Sequence, residues 1–392
     1  MGGRGPTATP SRRLVIPRIL HLTHSAALGG GELALLRLSR GLPEGFDPVL
    51  ACGEEGPLLD RAAAQGLATH VLPLAEAVRA RRRDRMGGVA GLRAAPAVTA
   101  YALRLARFMR DHGVNVVHTN SLKAHVYGIA AARLAGVPVV SHLRDDLSHG
   151  RRRLVPAFVR GLLRGTDATV GCSAYVLRAA GLSATPHRVV YSGVPASQVT
   201  GRIRPPEDPP VVGMVARIAP WKGQHVLLDA AARIAARRPD TRFRVVGGPL
   251  FGEERYLDEL HRRAARPPLA GWVEFTGFVR DALAAYDKLA VAVAHALQPE
   301  PFGPVVIEAM ARGVPVVAAD RGDPAEVVTP GVDGHLAPPG RTGALARAVD
   351  DLLADPLVAP GVGKAAADTV RQRFTLEQNA ARFAAVVRQV VR

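Results

Sequence analysis

Short runs rich in β-branched residues alternate with longer amphipathic segments along this chain, and the alternation starts over once, part-way through. A strand buried on both faces reads as a brief apolar run, and reaching the next parallel strand takes a helical crossover. The pattern therefore predicts βαβ units rather than a bundle or a sandwich. In the first half the apolar runs are 18–22, 48–51, 70–72, 114–118, 138–142, 168–172 and 188–191, with helical periodicity over 31–41, 58–65, 97–112, 124–135 and 174–180. Residues 197–210 carry Pro205, Pro206, Pro209 and Pro210 with little apolar content, which marks a linker. Strand runs then return at 211–215, 242–246, 273–276, 289–294 and 314–318, with helices over 223–237, 253–265 and 305–312.

At 392 residues the chain exceeds the usual reach of one hydrophobic core. The reading is an α/β protein of two Rossmann-like, doubly wound domains facing a central cleft. Residues 1–17 form a disordered arm, 18–196 the first domain, 197–210 the linker and 211–375 the second domain. The terminal helix 376–392 reaches back toward the first domain. Hydrophobic residues make up 48%, ample for two cores, yet no apolar run approaches the roughly 18–20 residues of a membrane-spanning helix. The N-terminal arm lacks the apolar stretch of a signal peptide, and Cys52 and Cys172 stand far apart without metal-ligand spacing. Both features predict a cytoplasmic protein. The net charge of +17 draws polyanions of some kind. Aromatic residues are 5% and do not interleave with the arginine clusters, so specific nucleic-acid binding is not expected.

Chemistry gathers where strands end. Glu300 opens a loop that turns at Phe302-Gly303, and Glu308 follows one turn into the next helix. The amides at such a helix start suit a diphosphate, Glu308 suits a ribose or sugar diol, and Glu300 reaches another part of the same ligand. Arg217 and Lys222 follow the first strand of the second half in an Arg-x4-Lys-Gly spacing. There a guanidinium fork and an ammonium neutralise a diphosphate. Gly29-Gly30-Gly31-Glu32 lies between the first strand and first helix, where backbone can approach a phosphate closely. It lacks the full Gly-x-Gly-x-x-Gly spacing of a dinucleotide site. His118-Thr119-Asn120 and Ser141-His142-Leu143-Arg144-Asp145-Asp146 end the fourth and fifth strands and point to the same cleft.

The segment Glu300-Pro301-Phe302-Gly303-Pro304-Val305-Val306-Ile307-Glu308-Ala309-Met310-Ala311-Arg312-Gly313 resembles the Glu-x7-Glu motif of retaining glycosyltransferase family 4. Gly213 to Gly223 and the Gly-Gly-x-Glu turn Gly29-Gly30-Gly31-Glu32 resemble that family's other donor motifs. The resemblance covers nearly the whole chain from Arg18 and implies a GT-B fold. It assigns the donor, a nucleotide-diphospho-sugar with UDP the commonest base, to Gly30, Gly31, Arg217, Lys222, Glu300, Phe302, Gly303, Val305 and Glu308. Catalysis falls to Arg217, Lys222, Glu300 and His118, without a metal or other cofactor. The acceptor side falls to His118, Asn120, His142, Arg144 and Asp145, for an unidentified acceptor that includes lipid-linked glycans. Arg79, Arg81, Arg82, Arg83 and Arg85 are read as a solvated face or as a peripheral contact with anionic membrane. Pro304 departs from the pattern, because it offers no amide hydrogen to the donor. Ser192-Gly193-Val194-Pro195 departs at two positions from the family's Asn-Gly-Val-Asp turn and receives no chemistry. Three rivals stand beside this reading: an epimerase, a phosphorylase, and a basic membrane- or nucleic-acid-binding protein without transferase activity.

Overall fold

A computed structural model describes residues 16–74, 89–147, 154–183, 188–201, 208–250, 252–354 and 358–391. Most of the N-terminal arm, the basic run 79–85 and residues 202–207 of the linker lie outside these. Two all-parallel six-stranded sheets carry the fold. The first orders β3 (Ala68–Val71), β2 (Asp47–Cys52), β1 (Arg18–Thr23), β4 (Val116–Thr119), β5 (Val139–Leu143) and β6 (Ala168–Gly171). The second repeats that order with β9 (Val273–Gly277), β8 (Arg242–Val246), β7 (Val211–Val215), β10 (Val291–Ala294), β11 (Val316–Ala319) and β12 (His335–Ala337). Each sheet reverses its winding between its first and fourth strands, and that switch point opens a crevice at the carboxyl ends of the strands.

Strand alternation decides what each face buries. On one face of the first sheet, Leu20, Leu22 and Val117 pack against the helices Val89–Asp111 and Leu122–Ala135. On the other face, Ile19, Val116, Val140 and Val170 meet Ala380, Phe383 and Val387 of the final helix, Leu376–Val390. The last residues of the chain thus complete the core of the first sheet. The crossing point is the Ser192-Gly193-Val194 turn. Val194 N donates to Phe374 O at 3.0 Å, and Leu376 N donates to Val194 O at 2.9 Å. A Cβ on Gly193 would lie 2.4 Å from Leu376 N and Cα, so glycine is needed there for close approach of two backbones. The turn's role is mechanical.

The run 188–191 forms no strand of the sheet; Val189 makes an isolated bridge to Gly171. Conversely, β12 was not foreseen from the sequence, because three residues without a β-branched side chain give no strand signal. No helix among the described residues is long and apolar enough to cross a membrane.

Candidate active site

The donor-motif residues of the second domain converge at the carboxyl ends of β7 and β10. After β7 the chain makes a single 3-10 turn, Pro220–Lys222, and then enters the helix Gln224–Ala235 through Gly223. Gly223 has φ +83°, and a Cβ there would lie 2.3 Å from His295 O at the end of β10. Both the left-handed backbone and the contact require glycine. The turn presents Trp221 between two cations: the Arg217 guanidinium carbon is 5.7 Å, and Lys222 Nζ 4.4 Å, from the ring centroid. Gln224, fully buried, donates to Arg217 O at 2.8 Å and fixes the backbone from which that guanidinium projects.

Each ionic residue of this group has a protein partner. Lys222 Nζ donates to Glu300 Oε1 at 2.7 Å, with both side chains largely buried. Arg217 Nη1 lies 3.4 Å from Glu253 Oε1, on the loop after β8. Glu308, 6% exposed, accepts from Arg37 Nη1 at 3.0 Å, and Arg37 belongs to the first-domain helix Gly30–Arg40. Arg37, Glu253 and Asp323 were absent from the sequence reading. The Arg37–Glu308 contact spans 271 residues, and nothing local announces such a pairing.

Asp323 supports the loop from below. Its Oδ2 accepts from Gly303 N at 2.8 Å, while Oδ1 is buried without a partner. Burial, and then the nearby charge of Glu300, push its carboxyl well above the usual range. The helix Pro304–Ala311 starts just beyond. Its opening amides are mostly committed: Gly303 to Asp323, Val306 back to Gly303 O, and none from Pro304. The expected cradle of backbone donors narrows to Val305. Phe302 packs 5.5 Å from the Tyr191 ring, against the first domain rather than into open space.

First-domain residues meet this group from the opposite sheet edge. The helix Gly30–Arg40 has no side-chain cap, and a Cβ on Gly30 would meet nothing within 4 Å. Gly31 O accepts from Asn120 Nδ2 at 3.0 Å, and Asn120 Oδ1 accepts from Arg144 Nε at 2.6 Å. Glu32, raised above its ordinary pKa chiefly by burial, feels the charges of Arg144 and Asp145. Gly31, Glu32, Asn120, Arg144 and Asp145 thus form one polar edge. Ser173 Oγ donates to Pro301 O at 2.6 Å and ties the Glu300 loop to the first domain. Glu326 accepts from Ala174 N at 2.9 Å and from Arg178 Nη2 at 2.7 Å, a second tie beside it.

His118 and His142 do not line the cleft. Both are fully buried on the sheet face covered by the final helix; His118 pairs with His21 across β1 and β4, and His142 lies two residues beyond Val140, the β5 partner of His118. His21 Nδ1 and His118 Nδ1 share a hydrogen bond of 2.7 Å, His118 Nε2 and His142 Nδ1 one of 3.3 Å, and the His118 ring centroid lies 4.6 Å from that of Phe383. Alternation along β4 turns His118 inward, and the residue that reaches the strand end is Asn120. His142 touches the polar edge only through Arg144 Nη2, at 3.3 Å. Burial holds His118 and His142 well below the ordinary imidazole pKa and His21 at about 3, so all are neutral. A catalytic His118 and an acceptor-binding His142 are therefore corrected to core residues.

Residues 28–198 match the family description Glycosyltransferase Family 4, and residues 200–371 match Glycosyl transferases group 1. The chain belongs to glycosyltransferase family 4. A GDP-mannose-dependent alpha-(1-6)-phosphatidylinositol monomannoside mannosyltransferase of Mycolicibacterium smegmatis is 37% identical to this family 4 chain over 166 residues. That match covers 40% of this chain and 42% of the relative, so it spans about two fifths of the relative's length. A 2-deoxystreptamine glucosyltransferase of Streptomyces kanamyceticus is 28% identical over 359 residues, 83% of this chain and 90% of that one. The crystal structure of Anabaena Alr3699/HepE in complex with UDP and glucose superposes with a TM-score of 0.77 at 27% identity. It covers 95% of this family 4 chain and 100% of the Anabaena chain. The architecture is accordingly GT-B.

Proposed function

We propose that the cleft binds a nucleotide-diphospho-sugar and transfers its sugar, with retained anomeric configuration and without a metal, to a hydroxyl of a glycolipid or glycan acceptor. The observation that carries this reading is the convergence of Arg217 and Lys222 on one Trp221 ring beside Glu300, with Glu308 across the same opening. Two cations at the end of a strand meet the charge of a diphosphate, and that charge grows as the bond to the sugar breaks. In the transfer, the bond from the anomeric carbon to the diphosphate oxygen breaks and the acceptor oxygen bonds to the same face. The acceptor proton passes to the departing phosphate. Stabilising that leaving group is the task of Arg217 and Lys222, and no covalent nucleophile on the protein is invoked.

The donor we favour is a UDP-sugar. Support comes from the Anabaena protein solved with UDP and glucose, which aligns over nearly the whole chain. The relative named for GDP-mannose aligns over a smaller part, and its name points to a lipid acceptor. A cytoplasmic enzyme in peripheral contact with an anionic membrane suits such an acceptor, although the basic run 79–85 lies outside the described residues.

A thermal-shift panel of UDP-, GDP- and ADP-sugars, with a chelator throughout, tests the proposal on wild type and Glu308→Ala. Ligand near a hundredfold over its dissociation constant stabilises by about 2.7 kcal/mol, a shift of several degrees. One nucleotide class is expected to give it in the wild type and to lose most of it in the variant. A folded wild type that shifts with none of them would return the +17 chain to the class of basic surface-binding proteins.

A further inference from the structure

Glu308 is a nearly buried carboxylate whose counterion comes from the other domain. Within the second domain its surroundings are unhelpful to a negative charge. Tyr286 OH is buried without a partner, and burial, followed by the charge of Glu308, drives that phenol well above its ordinary range. The cation that meets Glu308 is Arg37, reaching across from the helix Gly30–Arg40 whose first turn carries Gly30 and Gly31. The Arg37 side chain is 36% exposed while that of Glu308 is 8% exposed, so the arginine enters from the open side of the cleft. A buried carboxylate stripped of its partner is costly, which makes this pairing more than an incidental surface bridge.

The pairing is also one-sided. Arg37 Nη1 binds Oε1 at 3.0 Å, a single contact rather than a bidentate fork. Holding Oε1 restrains the rotamer of Glu308 and leaves Oε2 as the oxygen that can accept from a ligand hydroxyl. The same bond sets the spacing between the two domains at the donor end of the cleft. The Ser173–Pro301 and Glu326–Arg178 contacts join the two domains separately from it.

Resting on the donor-site reading above, we infer that Arg37 is a positioning residue. It orients the Glu308 carboxylate from the opposite domain so that Glu308 accepts from the ribose hydroxyls of the nucleotide. Arg37 itself touches neither the sugar nor the reacting bond. The consequence is selective: removing Arg37 weakens recognition of the ribose diol and leaves the diphosphate contacts with Arg217 and Lys222 intact.

Calorimetric titration of the full chain with UDP, GDP and ADP, and with their 2′,3′-dideoxy forms, separates the two contributions. Arg37→Met keeps the apolar stem and removes the charge; Arg37→Lys keeps the charge and loses the fork. For the nucleotide that the wild type binds, Arg37→Met is expected to lower affinity for the ribose form about tenfold and to leave the dideoxy form within twofold. Arg37→Lys is expected to recover part of the loss. Thermal unfolding of both variants checks that they are folded, and if Arg37→Met is not, Arg37→Lys alone carries the comparison. Equal weakening of ribose and dideoxy forms, or no weakening of either, overturns the inference while leaving the donor site in place. A folded wild type that binds none of the three nucleotides overturns the donor-site reading and this inference with it.

Discussion

Lys222→Ala is expected to lower turnover of the nucleotide-sugar by about a thousandfold, with a much smaller change in donor KM. Removing one preorganised donor to developing charge costs about 10²–10³ in kcat on its own. Here the loss is compounded, because Lys222 is the recorded ion-pair partner of Glu300, a carboxylate whose side chain is 12% exposed. Without the ammonium, Glu300 stands as an uncompensated negative charge beside the leaving diphosphate and repels it. Glu300→Gln in the Lys222→Ala background is therefore expected to restore part of the rate. Steady-state release of nucleoside diphosphate measures both effects. A single variant within tenfold of wild type would remove Lys222 from the leaving-group role.

The second large effect is on stability in acid. His21 and His125 have pKa values of about 3 in the folded chain, and His118 and His142 lie well below 6.5. Burial is the first cause in each case. For His21 and His142 the charge of Arg144 comes next; for His118 it is the neighbouring imidazoles, ahead of Arg144. In the unfolded chain each titrates near 6.5. Above that pH both states are neutral and the histidines make no pH-dependent contribution. As the pH falls below 6.5 the unfolded chain takes up protons that the folded chain refuses, so stability is lost progressively down to about pH 3. His21 and His125 then cost about 2 kcal/mol each at pH 5, and His118 and His142 add in the same direction, a sum that is a large part of the stability of an ordinary domain.

Asp323 and Glu32 work in the opposite direction. Their folded pKa values are raised, so the folded chain takes up their protons first as the pH falls, which offsets part of the loss. The net expectation is unfolding of the first domain well above the pH at which carboxylates titrate. His125 isolates the effect, because its only shift is from burial and its Nδ1 shares a single hydrogen bond with Thr119 Oγ1 at 2.7 Å. In urea denaturation across pH 4.5–7, His125→Asn is expected to flatten the dependence of stability on pH by one proton, about 1.4 kcal/mol per unit. An unchanged slope would mean that His125 is protonated in the folded state.

What was legible in the sequence follows from how local each signal is. The parallel α/β architecture showed in the β-branched runs, because a strand buried on both faces must be apolar throughout. Arg217, Lys222, Glu300 and Glu308 stand out as candidates because each sits within a few residues of a strand end, a glycine or a helix start; the structure pairs Lys222 with Glu300, sets Arg217 and Lys222 near the Trp221 ring, and pairs Glu308 with Arg37. His118 was misplaced for an equally local reason. Strand position fixes which end a residue is near, but what covers its face is set by partners distant in sequence, here His21 on the neighbouring strand and Phe383 near the other end of the chain. Arg37, Asp323 and Glu253 were out of reach because their roles exist only through partners brought close by folding. Asp323 takes its role from the bond that Gly303 N donates to it, and Arg37 from its bond to Glu308.

The same long-range contacts explain why the donor turn differs from its expected form. Pro304 removes one amide and Asp323 claims another, so on the proposed reading a diphosphate there would depend on side-chain cations more than on the helix start. This dependence gives the Lys222 substitution its expected size.

The most direct test of the donor site is a crystal structure of the chain with the nucleoside diphosphate that stabilises it, obtained without added metal. The account predicts the diphosphate within hydrogen-bonding distance of Arg217 and Lys222, with the Lys222–Glu300 pair opened, and the ribose hydroxyls on Glu308. A nucleotide bound away from these three residues, or one held with the Lys222–Glu300 pair still closed, would contradict it.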